Sequence, residues 1–141
     1  MVNQQFNFAV HIMTALAFSG SIMDSRSLAR SMNTNPVVVR RLLQALRLAG
    51  LVITFAGKHG GAQLARPASR ISLCDIYDAI DQRPAIEISQ RKAWKHCPVS
   101  CRMQKIMSSI SRDAEDALRK HLARVRLPAL LRTVKQKQAF Q

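Results

Sequence analysis

The stretch that most constrains the fold is NTNPVVVRRLLQALRLAGLV, residues 33–52. Asn35 suits an N-cap, and Pro36 suits the first helical position, where its missing N–H has no intrahelical partner anyway. Gly50 supplies a C-terminal stop, so the stretch predicts a helix over 36–49. Inside it Val39, Leu42, Leu43 and Leu46 recur three and four residues apart and share one face. The opposite side carries Val37, Arg40, Arg41 and Gln44, with Val38 at its edge. Two adjacent arginines on an otherwise apolar helix are the feature to be explained.

The flanking segments limit the arrangements open to that helix. A first helix is predicted over 5–18, with Phe8, Ile12, Ala15 and Leu16 at helical spacing and SGS as its breaker. SRSLARSM predicts a short second helix, with Ser25 as N-cap and Leu28, Ala29 and Met32 on its apolar side; NTN is the turn that follows. After Gly50, LVITF reads as a strand, AGKHGG as a turn and AQLA as a short returning strand. Helix, turn, helix and a hairpin tipped by lysine and glycine is the winged helix-turn-helix order. ISLCDIYDAID predicts a further helix, capped by Ser72 with Asp75 three residues on.

Residues 82–96 show no period and are expected to be a connector loop. From 97 or 100 to 126 a long helix is expected. Its stripe of Met103, Ile106, Met107, Ile110, Ala114, Ala117, Leu118 and Val125 lies near heptad spacing, as a helix-pairing interface would. Leu127 and Pro128 should break it, PALLRTV should form one more short helix, and KQKQAFQ should fray. The expected fold is therefore mainly α with a small β-hairpin. A winged helix-turn-helix domain at 1–81 is followed by a connector at 82–96 and a long dimerisation helix with its tail at 97–141.

Charge narrows the partner. Lys and Arg number 22 against 8 Asp and Glu, a net charge of +14. Residues 25–73 hold eight of those cations (Arg26, Arg30, Arg40, Arg41, Arg47, Lys58, Arg66, Arg70) and no acid. A surface made only for solubility mixes both signs, so a single-sign stretch points to a binding face for phosphate. In a DNA major groove, arginine can pair with guanine and glutamine with adenine, while valine methyls can touch thymine. That assigns base readout to Val37, Val38, Arg40, Arg41 and Gln44. Arg26, Arg30, Asn35, Lys58 and His59 are the backbone or wing candidates.

Other classes find less support. No stretch approaches the roughly 20 apolar residues of a membrane span, and FAVHIMTALAFSG lacks the basic flank of a signal peptide. A cytoplasmic protein is expected. There is no Gly-rich phosphate loop, paired-carboxylate cleft or nucleophile–base spacing, so no catalytic residue is assigned. A DNA-binding module without sequence preference, of the nucleoid-associated kind, is the alternative. His11 and His121 lie beside apolar stripes and are expected to be packed or partly exposed, not ligands; Trp94 is expected to anchor the connector, with the lining of an effector pocket as the alternative.

Three pieces in fixed order, VVVRRLLQALRLAGLV, GKHGGAQLARP and ISLCDIYDAI, resemble the Rrf-two family of bacterial winged-helix regulators. That family includes the iron–sulfur cluster regulator, the nitric-oxide-sensing repressor and the cysteine-metabolism repressor. The likeness runs over residues 6–81, and LPALL resembles the family's closing segment. It implies a homodimer that exchanges its long C-terminal helix and binds a roughly palindromic site on double-stranded DNA; a sequence-specific regulator, a repressor, is the function expected. It also implies base readout from the start of the recognition helix, with Lys58 and His59 in the wing near the minor groove.

Two departures stand out. Many members carry an arginine just before the wing glycines, where this chain has Ala56. Cluster-binding members carry three cysteines about five residues apart, whereas here HCPVSC sets only three residues between Cys97 and Cys101, and a cluster needs a fuller set. Neither an iron–sulfur cluster nor another metal site is expected, and no cofactor is assigned. Cys97, beside Lys95 and His96 at a predicted helix start, and Cys101 form a candidate redox pair; two incidental reduced thiols are the alternative. Cys74 is expected in the core. The sequence does not identify an effector, whether small molecule or oxidant.

Overall fold

An amphipathic helix with one bare face has to be held from behind, and three helices and a sheet do this in the computed structural model, which describes residues 4–80 and 83–138. The helix in question is α3 (Pro36–Leu48). It follows α1 (Gln5–Ser19) and α2 (Ser25–Met32) and precedes the hairpin of β1 (Val52–Phe55) and β2 (Gly61–Leu64). A 3-10 turn (Ala68–Arg70) then leads into α4 (Leu73–Ala79), α5 (Pro98–Arg124) and α6 (Leu127–Gln138). Val39, Leu42, Leu43 and Leu46 of α3 join Ala9, Ile12, Met13 and Leu16 of α1, Leu28 of α2, Ile76 of α4 and Leu127 of α6 in one buried cluster.

Local chemistry sets the boundaries. α1 stops at Gly20, left-handed at φ 65°, whose N–H reaches the Leu16 carbonyl. The cap of α2 is Asp24 and not Ser25: its carboxylate accepts from the Ser27 N–H at 2.7 Å and the Ser27 hydroxyl at 3.1 Å. An ionised acceptor also meets the positive end of the helix, which a serine hydroxyl cannot do, and Ser25 becomes the first helical residue. Asn33 closes α2 in the left-handed region, at φ 53°. Asn35 then caps α3 through the Val37 N–H at 2.9 Å, with Pro36 at the helix start.

The wing is more than a hairpin. Val52 pairs with Leu64 and Phe55 with Gly61, while Met23, in the α1–α2 linker, exchanges two 2.9 Å backbone bonds with Ala62. Gly61 has φ +155°, and a Cβ built there would lie 2.3 Å from the Met23 carbonyl oxygen. α4 carries the expected reciprocal capping box of Ser72 and Asp75.

The C-terminal half departs from expectation in three places. α5 ends at Arg124, before Leu127 and Pro128. Residues 125 and 126 are extended because the Val125 carbonyl accepts from the Leu73 N–H at 2.8 Å and the Leu127 N–H reaches the Ile71 carbonyl at 3.1 Å. Val125 therefore leaves the α5 stripe, and Leu127 and Pro128 open α6, where proline in the first turn costs no hydrogen bond. α6 continues through Gln138, into the segment expected to fray; residues 139–141 of that segment lie outside the described residues, as does the expected boundary at 81–82.

The connector is also tied down. Glu115 accepts from the Ala85 N–H and the Tyr77 hydroxyl, buried Ser111 donates to the Ile86 carbonyl at 2.8 Å, and the Trp94 N–H reaches the Ser100 hydroxyl at 2.7 Å. Residues 85–94 thus run back along α5. Arg119 pairs with both carboxylate oxygens of Asp78 and fastens α5 to α4.

Two outcomes test this account. Gly61→Ala is expected to lower unfolding stability by about 1–3 kcal/mol in urea titration, through overpacking against Met23 and backbone strain. Burial, then the bond to Glu115, pushes the Tyr77 hydroxyl up to about 12 from 10.0. The unfolded tyrosine ionises first, so wild-type stability should fall from pH 10 toward pH 12, and Tyr77→Phe should remove that part of the fall.

Candidate nucleic-acid interface

With four side chains of α3 buried, its register decides what solvent meets. Val37, Arg40, Arg41, Gln44, Arg47 and Leu48 are all exposed. They divide into two edges. Arg40, Gln44 and Arg47, spaced four and three apart, lie toward the wing beside Leu43 and line a crevice of about 640 Å³. Its far wall is Thr54, Phe55, Gly57 and Lys58 of the wing, and Asp24, Ser25 and Arg26 at the start of α2 close it. Val37 and Arg41 stand outside this crevice on the same solvent side.

Charge in the crevice is almost all of one sign. Among the described residues, the ion pairs involve Arg66, Arg83 and Arg119, and none of Arg26, Arg40, Arg47 or Lys58. The one acid on the wall, Asp24, is committed to Ser27. The Ser27 backbone bond, opposed by slight burial and helped by the Ser27 hydroxyl, holds its carboxyl below the ordinary range. Four cations and one carboxylate thus line the concavity, which is left net positive. No acid occupies the first turn of α3, whose dipole adds to the attraction for phosphate.

The structure sorts the remaining candidates. Val38 is half-buried against the core. Asn35 is exposed, but its side chain is engaged in the cap. Arg30 and His59 are exposed and off the crevice walls. The reading from sequence omitted Arg47, Thr54 and Phe55 from the site. Arg47 was detectable, since it continues the spacing from Arg40 through Gln44.

A second region lies at the start of α5. Cys97 is the N-cap, its sulfur accepting the Ser100 N–H at 3.4 Å. The Cys101 N–H reaches the Cys97 carbonyl at 3.0 Å, and its thiol donates to the Trp94 carbonyl. Trp94 stacks edge-on against His96 and is 65% exposed, so it is held through its backbone and not by burial of its ring. Cys74 is half-buried on α4, not in the core, and donates to Asp78; desolvation, then the Asp78 charge, pushes its thiol up. Along α5, Met103, Ile106, Ile110 and Ala117 are exposed, with Val99 adding to them, while Met107, Ala114 and Leu118 are half-buried. His11 is exposed and bonds the Ser31 hydroxyl.

A family model described as Rrf2, iron-dependent transcriptional regulator, matches residues 2–133. The chain is 29% identical over 123 residues to YwnA of Bacillus subtilis (strain 168), a candidate HTH-type transcriptional regulator; the match covers 87% of this chain and 91% of that protein. Among solved structures, IscR of T. potens superposes with a TM-score of 0.72 at 21% identity, covering 98% of this chain and 90% of that one. A candidate transcriptional regulator from Lactobacillus plantarum superposes with a TM-score of 0.77 at 24% identity, covering 98% and 99%. The shared fold is the winged helix-turn-helix with a long C-terminal helix.

An iron centre needs several converging His, Cys, Asp or Glu donors. Among the described residues no three His, Cys, Asp or Glu side chains are grouped to hold a metal ion. Cys97 and Cys101 share one helical turn, and Cys74 is engaged with Asp78 on α4. This donor set does not fit a resident iron or iron–sulfur centre within one chain.

The Asp24 cap is open to direct test. Asp24→Ala is expected to cost about 1 kcal/mol in thermal unfolding at neutral pH. Because the folded carboxyl lies below its unfolded value, that contribution is present above the ordinary carboxylate range. It should vanish as pH falls through the folded value, closing the gap between wild type and variant.

Proposed function

Because this chain belongs to the Rrf2 family of transcriptional regulators, whose members regulate transcription and are not enzymes, we propose that it is a sequence-specific DNA-binding repressor acting as a homodimer on a roughly palindromic operator. The observation that carries this reading is the bare side of α3. Val37, Arg40, Arg41 and Gln44 stand exposed on a helix with no acid in its first turn, next to a wing bearing Lys58. The start of α3 enters the major groove, where Arg40 and Arg41 pair with guanine edges and Gln44 with adenine. Arg26, Arg30, Lys58 and His59 hold the backbone near the groove walls.

Dimerisation is supported by the exposed stripe of Val99, Met103, Ile106 and Ile110 on the 27-residue α5. Large apolar side chains at near-heptad spacing on a polar helix suit a second copy of that helix. Two copies present their α3 helices about one DNA turn apart, so a small change at the α5 pairing weakens operator binding. Among the described residues no helix is long and apolar enough to cross a membrane, in keeping with action on cytoplasmic DNA. No resident metal or cofactor is part of this reading.

The input is assigned to Cys97 and Cys101, in the first turn of α5. Oxidation by a peroxide, which takes two electrons and two protons from the thiols as its O–O bond breaks to leave a disulfide and two waters (or one water and an alcohol), would distort that turn next to the pairing stripe. Peroxide should then weaken operator binding in wild type and leave Cys97→Ser unaffected; an equal response in both excludes this input.

The principal test is selection from random duplexes at near-physiological salt, followed by sequencing. A palindrome is expected, with Arg40→Ala and Arg41→Ala each losing about 1–3 kcal/mol of discrimination at one base step. Retention without any preferred sequence, together with a steep salt dependence, would instead establish the nucleoid-associated reading that the +14 charge also favours.

A further inference from the structure

The crevice between α3 and the wing contains side chains that base readout does not require, and its position assigns them a role. Resting on the regulator reading above, we propose that this crevice seats one sugar–phosphate strand of the operator, with Arg47 as a phosphate ligand and Phe55 as the apolar wall for a deoxyribose.

The argument begins with duplex geometry. A helix in the major groove and a wing at the adjoining minor groove lie on opposite sides of a single backbone strand. That strand therefore passes between them. In this chain the space between them is the 640 Å³ crevice. Arg40 and Gln44 lie nearer the reading end of α3, whereas Arg47 lies one residue from its C-terminal limit at Leu48. Ten residues at about 1.5 Å each separate Arg47 from Val37, roughly 15 Å along the axis. If the N-terminal turns reach base edges, Arg47 stands where the helix rises past the groove wall.

Chemistry agrees with position. Arg47 is exposed, has no ion pair among the described residues, and lines with Lys58, Arg26 and Arg40 a space that holds one acid, Asp24, so the lining stays net positive. Like charges held around a concavity are destabilising until an anion enters it. The guanidinium fork fits phosphate oxygens in pairs. Phe55 is a large ring left 42% exposed beside these cations, with Thr54 next to it. An exposed phenylalanine in a wall of cations gains contact when a sugar face covers it. A strand of alternating phosphates and sugars meets both requirements at once.

Phosphate contacts raise affinity for all sequences and steepen its salt dependence without choosing bases. The experiment is fluorescence-anisotropy titration of the full chain against the selected operator and a scrambled duplex, over a series of salt concentrations. Arg47→Gln should weaken both duplexes alike and reduce the slope of log K against log salt by about 0.9 per copy. Arg47→Lys should keep the slope, and Phe55→Ala should weaken both duplexes at unchanged slope. Circular dichroism melts establish that each variant is folded.

Loss of operator preference by Arg47→Gln at unchanged slope would make Arg47 a base reader and overturn the assignment. So would no change in either quantity. If no operator emerges from selection, the regulator reading fails, yet the slope on scrambled duplex still decides whether Arg47 holds a phosphate.

Discussion

Val39, Leu42, Leu43 and Leu46 hold α3 by one face against α1, α2 and α4, and that one-sided grip governs what the remaining residues can do. Each such side chain contributes about 1.5–3 kcal/mol on burial, enough together to fix the helix without help from its outer face. The outer face is therefore free to carry charge that would otherwise weaken the fold. A helix held from both sides could not present Arg40, Arg41, Gln44 and Arg47 to a ligand. The cost is a surface of unneutralised cations, tolerated because solvent screens them.

Acids are placed to leave that surface uncompensated. Asp24 is used in a helix cap, Asp75 in a capping box, Asp78 in the Arg119 pair, and Glu115 in bonds to Tyr77 and Ala85. These carboxylates do structural work within their own neighbourhoods instead of roaming the surface. Four acids thus hold α2, α4, α5 and the connector in place, and four cations, Arg26, Arg40, Arg47 and Lys58, line the crevice.

The parts legible in the sequence are those whose causes are local. Asn35 with Pro36, Gly50, and Ser72 with Asp75 mark their helix ends within a few residues, and the heptad-like spacing of α5 is intrinsic to one helix. The cap of α2 was misplaced by one residue because Asp24 and Ser25, both able to cap, are adjacent and only geometry separates them. The end of α5 was misplaced because its cause lies some fifty residues away, where Leu73 and Ile71 draw the backbone at 125–127 into extended pairing. The connector showed no period because its order comes from Glu115, Ser111 and Ser100, side chains on another element. At the site, α3 supplied most residues by register, while Thr54 and Phe55 joined only when the hairpin folded beside it.

The pairing of Met23 with Ala62 has a mechanical consequence. It stitches the wing to the linker that introduces α2, and α2 packs on α3, so both jaws around the crevice belong to a single rigid frame. The gap between them is set as in a fixed-gauge caliper. A disturbance arriving through α4 and α5 would then tilt or displace this frame as a whole. Control over DNA would then act on where a complete reading head is aimed, leaving its internal fit untouched.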